Sequence, residues 1–446
     1  LASFSRELKT KSKNKRNMKA IDSIVPLACV AAALLTQTSS AQDISAGEPL
    51  VPGYARPSVH LRLDPTQPAA TTTPTGFTPA QIRQAYGFDQ LPSSIDGTGQ
   101  TIAIVDAFGD RYATITTTTV HGHKKTTTTT ITDATQADWT TFCNQFGLTT
   151  NGLTVVYPQG QGQGQGQSGV STNWALETAL DIEWAHAIAP EAKILLVVSH
   201  DNSITNMNAA VDYAFNAGAS VVSMSWVESW GYYESTNELS EDVHFNHPGV
   251  TFVASSGDSG ELSGAGVAYP AASPYVLSVG GTQLTNYNGT WSEPAWSGSG
   301  GGISLYETMP VFQNGWQQFP TGNLRSVPDV CYQAGPNPGV SVYVTPYGGW
   351  LQVYGTSVGA PQWSALIALA NSARTSGTLN GANSALYSIA ATSTAPPYIT
   401  AAFLNDIISG SDGSDPDDFS IPGYDFVTGL GSPVANNLVP ALSLYP

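Results

Sequence analysis

From residue 76 onward the chain alternates two hydrophobic rhythms. Short apolar runs, the sign of strands buried on both faces, fall at Thr101–Asp106, Lys193–Val198, Ser220–Ser225, Val250–Ser255 and Tyr275–Gly280. Longer stretches of helix formers lie at Trp174–Ala187, Thr205–Ala217 and Gln362–Ala370. Another helix is expected from Pro79, where Thr78 is placed to cap and the proline fills the first turn. Strand and helix alternating in this way predict an α/β fold, a mostly parallel central sheet with helices on both faces. No boundary interrupts the pattern, so residues 76–446 are expected to form one domain.

Several segments stand outside that rhythm. Residues 1–41 run from a basic stretch through the apolar Ile24–Leu35 to Ser39-Ser40-Ala41, the order of a secretory signal peptide cut near Ala41, with Met18 as an alternative start. Its apolar run is too short for a comfortable membrane span. Residues 42–75, rich in Pro, Ala and Thr, read as an extended linker. The threonine tract at about 114–132 carries His121 and His123 and reads as a surface insertion or a β-hairpin, and the Gln-Gly repeat at 159–167 as a flexible loop.

Charge narrows the setting. The 446 residues have a net charge of −17, but seven of the 16 basic residues precede residue 20. Without residues 1–41, nine basic residues face 31 acidic ones, a net of −22. Such a surface repels nucleic acid and anionic membranes, so neither is expected as a partner. Self-repulsion falls as carboxylates protonate, which suits an acidic medium. Past the signal only Cys143 and Cys331 remain; they could pair in an oxidising compartment, and no Cys/His cluster has zinc spacing.

Three places could carry chemistry. Gly355-Thr356-Ser357 leads into a run of helix formers, so the Ser357 hydroxyl lies on a tight turn at a helix N-terminus. Unpaired N–H groups there favour developing negative charge, although serine is also a common helix cap. Glu177 and Asp181, four apart, share one helix face: a solvated face, or in a cleft a pair that shares a proton and supplies a base. Asp258 follows a buried strand in Ser256-Gly257-Asp258-Ser259-Gly260, either serving its own turn or, protonated, donating to an oxyanion. The seven histidines, His60, His121, His123, His186, His200, His244 and His247, have no setting that marks a catalytic base, and a carboxylate base fits better.

Taken together, Glu177-x-x-x-Asp181, Ser256–Gly260 and Gly355-Thr356-Ser357 with Pro361 resemble the sedolisins, the serine-carboxyl peptidases with a subtilisin-like fold. Pro270–Thr282, Ser299–Ser304 and Arg325–Val330 match the same family, and the resemblance covers about residues 76–446. It implies an acid-acting endopeptidase or tripeptidyl peptidase, with Ser357 as nucleophile, Glu177 as general base and then acid, Asp181 as its buttress and Asp258 as protonated oxyanion donor. Asn405–Gly410 and Pro422–Pro433 resemble the sedolisin calcium loops, implying one Ca²⁺ held by the carboxylates of Asp406 and Asp425 and the carbonyls of Ile407, Ile421 and Gly423.

The chain departs from that pattern in three places. The reading leaves only a linker between the signal and residue 76, where sedolisins usually carry a large propeptide domain. The threonine tract is extra, and Val227 stands after Trp226 where relatives usually have glycine. The resulting expectation is a secreted monomer that hydrolyses proteins or peptides in acidic surroundings. The rival readings are a secreted binding or surface protein that keeps the fold without turnover, and an ordinary subtilisin using Asp106 and Ser357.

Overall fold

Seven parallel strands form the centre of the protein, five of them at the expected apolar runs and two, Leu153–Val156 and Val330–Gln333, where no strand is expected. The computed structural model describes residues 52–62, 70–120, 124–161, 171–229, 234–262, 264–391 and 399–446. The expected signal peptide, most of the Gln-Gly repeat, and His121 and His123 lie outside the described residues. In chain order the elements are β1 (Tyr54–Pro57), β2 (His60–Leu61), α1 (Pro79–Tyr86), β3 (Thr101–Ala107), β4 (Arg111–Val120), β5 (Lys124–Asp133), α2 (Thr135–Phe146), β6 (Leu153–Val156), α3 (Thr172–Ile188), β7 (Lys193–Ser199), α4 (Ile204–Asn216), β8 (Val221–Met224), β9 (Trp226–Ser229), β10 (Thr251–Ser255) and β11 (Val276–Thr282). Later elements include the strands Val330–Gln333 and Gly349–Tyr354 and the helix Gly359–Ser372.

The sheet runs in the order Val330–Gln333, β11, β10, β8, β3, β7, β6. Its register sets Ala103 of β3 between Leu195 of β7 and Val222 of β8. Alternate residues of β3 serve opposite faces, as a strand requires. Ile102 and Ile104 join a core with Leu176, Leu180 and Leu366, whereas Ala103 and Val105 join a second core with Met207 and Val211. Helices thus cover both faces, each fully buried leucine contributing roughly 1.5–3 kcal/mol.

Helix α1 begins as expected: the Thr78 N–H donates to Gln81 Oε1 at 2.9 Å, Pro79 opens the helix, and Gly87 closes it at φ 80°. Helix α3 starts where Ser171 Oγ accepts from the Trp174 N–H at 3.4 Å. From Trp174 to Ile188 every residue is buried, and Glu177, Asp181, Glu183 and His186 are all 0% exposed. The solvated-face alternative for Glu177 and Asp181 is therefore excluded.

The expected linker is corrected in its described part. Strand β1 pairs antiparallel with β9, from Tyr54↔Ser229 to Pro57↔Trp226, and β2 pairs with Gly349–Tyr354. Ala55, Val59 and Leu61 are buried. Apolar Ala55, Pro57, Val59 and Leu61 alternate with Tyr54, Arg56, Ser58 and His60, and the stretch forms a two-stranded ribbon with β9 and then pairs with Gly349–Tyr354. The threonine tract forms the β4–β5 hairpin, registered from Arg111↔Asp133 to Val120↔Lys124, where β-branched threonine suits cross-strand pairing. Arg325 and Asp329, from another family-like stretch, form a fully buried bidentate ion pair at 2.6 and 2.7 Å. Cys143 and Cys331 are both buried and free. Among the described residues no helix is long and apolar enough to cross a membrane.

Candidate active site

The C-terminal ends of parallel strands are where open α/β sheets gather functional groups. Here β3 ends with Asp106 and Ala107, Ser225 follows β8, and the Ser256–Gly260 loop follows β10. The turn carrying Ser357 enters from the strand Gly349–Tyr354, passes through a single 3₁₀ turn at Thr356–Val358 and continues into the helix Gly359–Ser372. Only glycine serves at its start: Gly355 has φ 128°, and a Cβ there would lie 2.5 Å from both Asp258 Oδ2 and the Ser58 carbonyl oxygen.

Ser357 is fully buried, and its hydroxyl donates to Glu177 Oε2 at 3.0 Å. The Ser225 carbonyl oxygen lies 3.4 Å from the same hydroxyl, and Ser225 Oγ donates to Asp181 Oδ1 at 2.8 Å. One residue of the β8 end thus touches both the serine and the lower carboxylate of α3. Thr356 ties the turn to the fourth predicted residue: its N–H and its hydroxyl each donate to Asp258 Oδ1 at 2.7 Å. The Gly257 N–H in turn donates to Thr356 Oγ1 at 3.1 Å. Glu177, Asp181, Asp258 and Ser357, which the sequence spreads over 181 positions, converge on one site.

Electrostatics favours protons here. Burial, then the charges of Asp181 and Asp106, pushes the Glu177 carboxyl well above the usual carboxylate range, against the Ser357 hydrogen bond. Burial and the Asp106 charge raise Asp181 as well, opposed by hydrogen bonds from Ser225 and Glu177. Asp106 is itself raised by burial to about 7. Three carboxyls so close and so dry cannot all be ionised, and a proton held among them can move to and from Ser357 through Glu177.

Two of these groups were not assigned a place in the site by sequence reasoning. Asp106 is expected as the carboxylate that ends a buried strand, where open parallel sheets place functional groups, and as the acid of the subtilisin alternative, but not as a neighbour of Glu177 and Asp181. His60 is the larger correction: its Nε2 lies 2.9 Å from Asp258 Oδ2, both side chains are nearly buried, and its ring stacks on Tyr354 with centroids 5.0 Å apart. No local pattern marks it, because its surroundings come from residues some 200 and 300 positions onward. It touches the aspartate, while the hydroxyl of Ser357 faces Glu177 and the Ser225 carbonyl.

At the second predicted site, the Gly423 N–H donates to Asp406 Oδ2 at 2.9 Å and the Ile421 N–H to Asp425 Oδ2 at 3.0 Å. Asp425 Oδ1 also accepts from the N–H groups of Val427 and Thr428 at 3.0 and 2.7 Å. Ile407 is buried with Ala295, Cys331 and Val427. Among the described residues no three His, Cys, Asp or Glu side chains cluster as a metal site.

A strand order and a serine turn of this kind define a subtilisin-like α/β protein. Residues 170–403 match the subtilase family, and the chain belongs to it, within the sedolisins. Kumamolisin from Bacillus sp. (strain MN-32) is 30% identical over 403 residues, 83% of this chain and 64% of that protein. Sedolisin from Pseudomonas sp. (strain 101) is 30% identical over 272 residues, 53% of this chain and 44% of that protein. The chain therefore spans less than two thirds of the length of either relative. A solved structure of Pseudomonas sedolisin, a serine-carboxyl proteinase complexed with two molecules of pseudo-iodotyrostatin, superposes with a TM-score of 0.64 at 24% identity, covering 82% of this chain and 98% of that one. That likeness establishes the fold.

Proposed function

We propose that the chain is a serine-carboxyl peptidase that hydrolyses peptide bonds through an acyl-enzyme on Ser357. The observation that carries this reading is the 3.0 Å hydrogen bond from Ser357 Oγ to the buried Glu177 carboxyl. Ser357 Oγ attacks the peptide carbonyl as its proton passes to Glu177, and Glu177 returns the proton to the departing amine. Water then attacks the ester, giving a proton to Glu177, and Ser357 is restored. Asp181 and Asp106 bias Glu177 toward holding a proton. In this reading Asp258 and the Ser357 N–H would stabilise the oxygen that becomes negative. Such a site works where histidine would already be charged, which supports acidic surroundings, and the signal-peptide pattern of residues 1–41 supports secretion. The test is digestion of a denatured protein by the purified chain from strongly acid to neutral pH. Turnover confined to neutral pH, or surviving Ser357→Ala, would sink the mechanism.

One Ca²⁺ belongs to the same reading. Burial raises Asp406 and pushes Asp425 up to about 7, and neither forms an ion pair among the described residues. A buried and a half-buried carboxylate without a cationic partner fit a hard cation, and the backbone of residues 421–425 lies against both. Asp406 and Asp425 would hold the ion, with the carbonyls of Ile407, Ile421 and Gly423 completing an all-oxygen set. Its contribution is to fix the C-terminal loops.

A further inference from the structure

The edge of β9 beside Ser357 is built to hold an extended chain. Arg56 stands opposite Val227 there, and the antiparallel register continues to Ser58, whose N–H donates to the Ser225 carbonyl at 3.2 Å. The Ser58 carbonyl oxygen accepts from the Ser357 N–H at 3.4 Å. A residue opposite Ser225 in this register therefore stands where the acyl side of a bond attacked by Ser357 has to stand, with backbone bonds to the strand edge fixing its position.

The side chain of that residue has a set direction. Opposite residues of an antiparallel pair carry their side chains on one face, and residues two apart on a strand share that face. The side chain opposite Ser225 thus lies on the face that Val227 takes. That face looks into a crevice whose two walls continue from neighbouring parallel strands, β8 and β10, where Met224 pairs with Ala254. Both walls touch the serine turn: the Ser225 carbonyl oxygen lies 3.4 Å from Ser357 Oγ, and the Gly257 N–H donates to Thr356 Oγ1 at 3.1 Å. The Glu228 N–H donates to the Tyr269 carbonyl at 2.7 Å, which sets the segment carrying Ala268 behind them.

Val227 takes up the space between the walls. A Cβ built on Gly257, which has φ 104°, would lie 3.9 Å from Val227 Cγ1 and 3.6 Å from Ala268 Cβ. The isopropyl group is 5% exposed. Diagonal neighbours in an antiparallel pair lie about 7–8 Å apart, beyond a serine or alanine side chain but within reach of an aromatic one. A large side chain opposite Ser225 runs into Val227, and the residue that the chain itself sets there is a serine.

We infer that Val227 restricts the residue on the acyl side of the cleaved bond to glycine, alanine or serine. The inference rests on the reading of Ser357 as a peptidase nucleophile. Replacing Val227 by glycine removes the whole isopropyl group from the crevice and admits leucine, phenylalanine or tyrosine.

The test digests one defined mixture of peptides at acid pH with the full chain, with Val227→Gly and with Ser357→Ala, and reads the cut bonds by mass spectrometry. The wild-type chain should cut after glycine, alanine and serine about tenfold or more faster than after leucine, phenylalanine and tyrosine, the scale that a methylene or two is worth in a specificity pocket. Val227→Gly should shift that ratio toward the large residues by about tenfold or more. Both classes of bond compete in the same digest, so the ratio does not depend on how much of the variant is folded. A wild-type chain that cuts after large residues as readily as after small ones, or an unchanged ratio in Val227→Gly, overturns the inference and leaves the peptidase reading standing. An uncut mixture, or cutting that survives Ser357→Ala, overturns both.

Discussion

Ser357 Oγ lies 3.0 Å from Glu177 Oε2, although 180 positions separate the two residues. The contact is made by two buried helical segments, so neither partner can leave it without disturbing the core. Ser357→Ala and Glu177→Gln should each lower the rate of peptide hydrolysis by about 10⁴- to 10⁶-fold, and the double variant should lose little more, as for residues that act as a unit. Steady-state rates with one peptide substrate at acid pH check this. Losses that multiply would show that the two do not act together.

Asp258 should matter less. Removing one oxyanion donor typically costs about 10²- to 10³-fold in kcat. Asp258→Ala is expected in that range, and Thr356→Val should fall short of it, because it removes one of the two bonds to Asp258 Oδ1 and leaves the N–H in place. The comparison is of kcat for the two variants.

Stability should fall as pH rises. Burial raises Asp106 to about 7, and burial with the Asp242 and Glu234 charges raises Glu307 to about 8. An unfolded carboxyl titrates near 4, so between about pH 4 and 8 the folded chain holds more protons than the unfolded one. The contribution of these groups is complete below about pH 4 and is lost as pH passes through the folded values. Thermal unfolding across this range should show Tm decreasing with pH. A Tm that climbs toward neutrality would contradict the assignment.

Arg325→Ala should destabilise the fold by about 3–5 kcal/mol, since it leaves the Asp329 carboxylate buried and without its charged partner. Tyr387 and the Ser278 N–H still donate to Asp329, at 2.9 Å each, which soften the loss without neutralising it. Denaturant unfolding of the two proteins measures the difference.

Chelation should lower Tm and leave one molar equivalent of calcium in the removed fraction. Asp425→Ala should abolish both the bound calcium and the chelator-induced shift. Metal analysis and paired melts test this, and a chain without calcium that is indifferent to chelator would remove the ion from the reading.

The sheet was legible because buried parallel strands are written as unbroken apolar runs: β3 and β7 fall within a residue of where Thr101–Asp106 and Lys193–Val198 place them. The carboxyl pair was legible from its spacing, but not its burial, since a helix packed on every side has no amphipathic rhythm to report direction. The β1–β2 stretch and His60 were not legible. A strand that completes another sheet's edge carries little pattern of its own, and the neighbours of His60, Asp258 and Tyr354, are distant in sequence. The threonine hairpin could be read as a ribbon because its chemistry is local.

Helix α3 fixes phase as well as position. Successive residues on a helix are turned by about 100°, so one residue inserted between Ser171 and Glu177 would swing the carboxyl away from Ser357 while composition stayed almost the same. A helix buried on all sides cannot rotate back, because every face is already matched to a neighbour. The β4–β5 ribbon has the opposite tolerance: it is a separate two-stranded sheet, so its length can change in paired steps without shifting the register of the central sheet. Insertions are therefore neutral in one element and decisive in the other, and the distance from Ser171 to Glu177 acts as the ruler of the catalytic geometry.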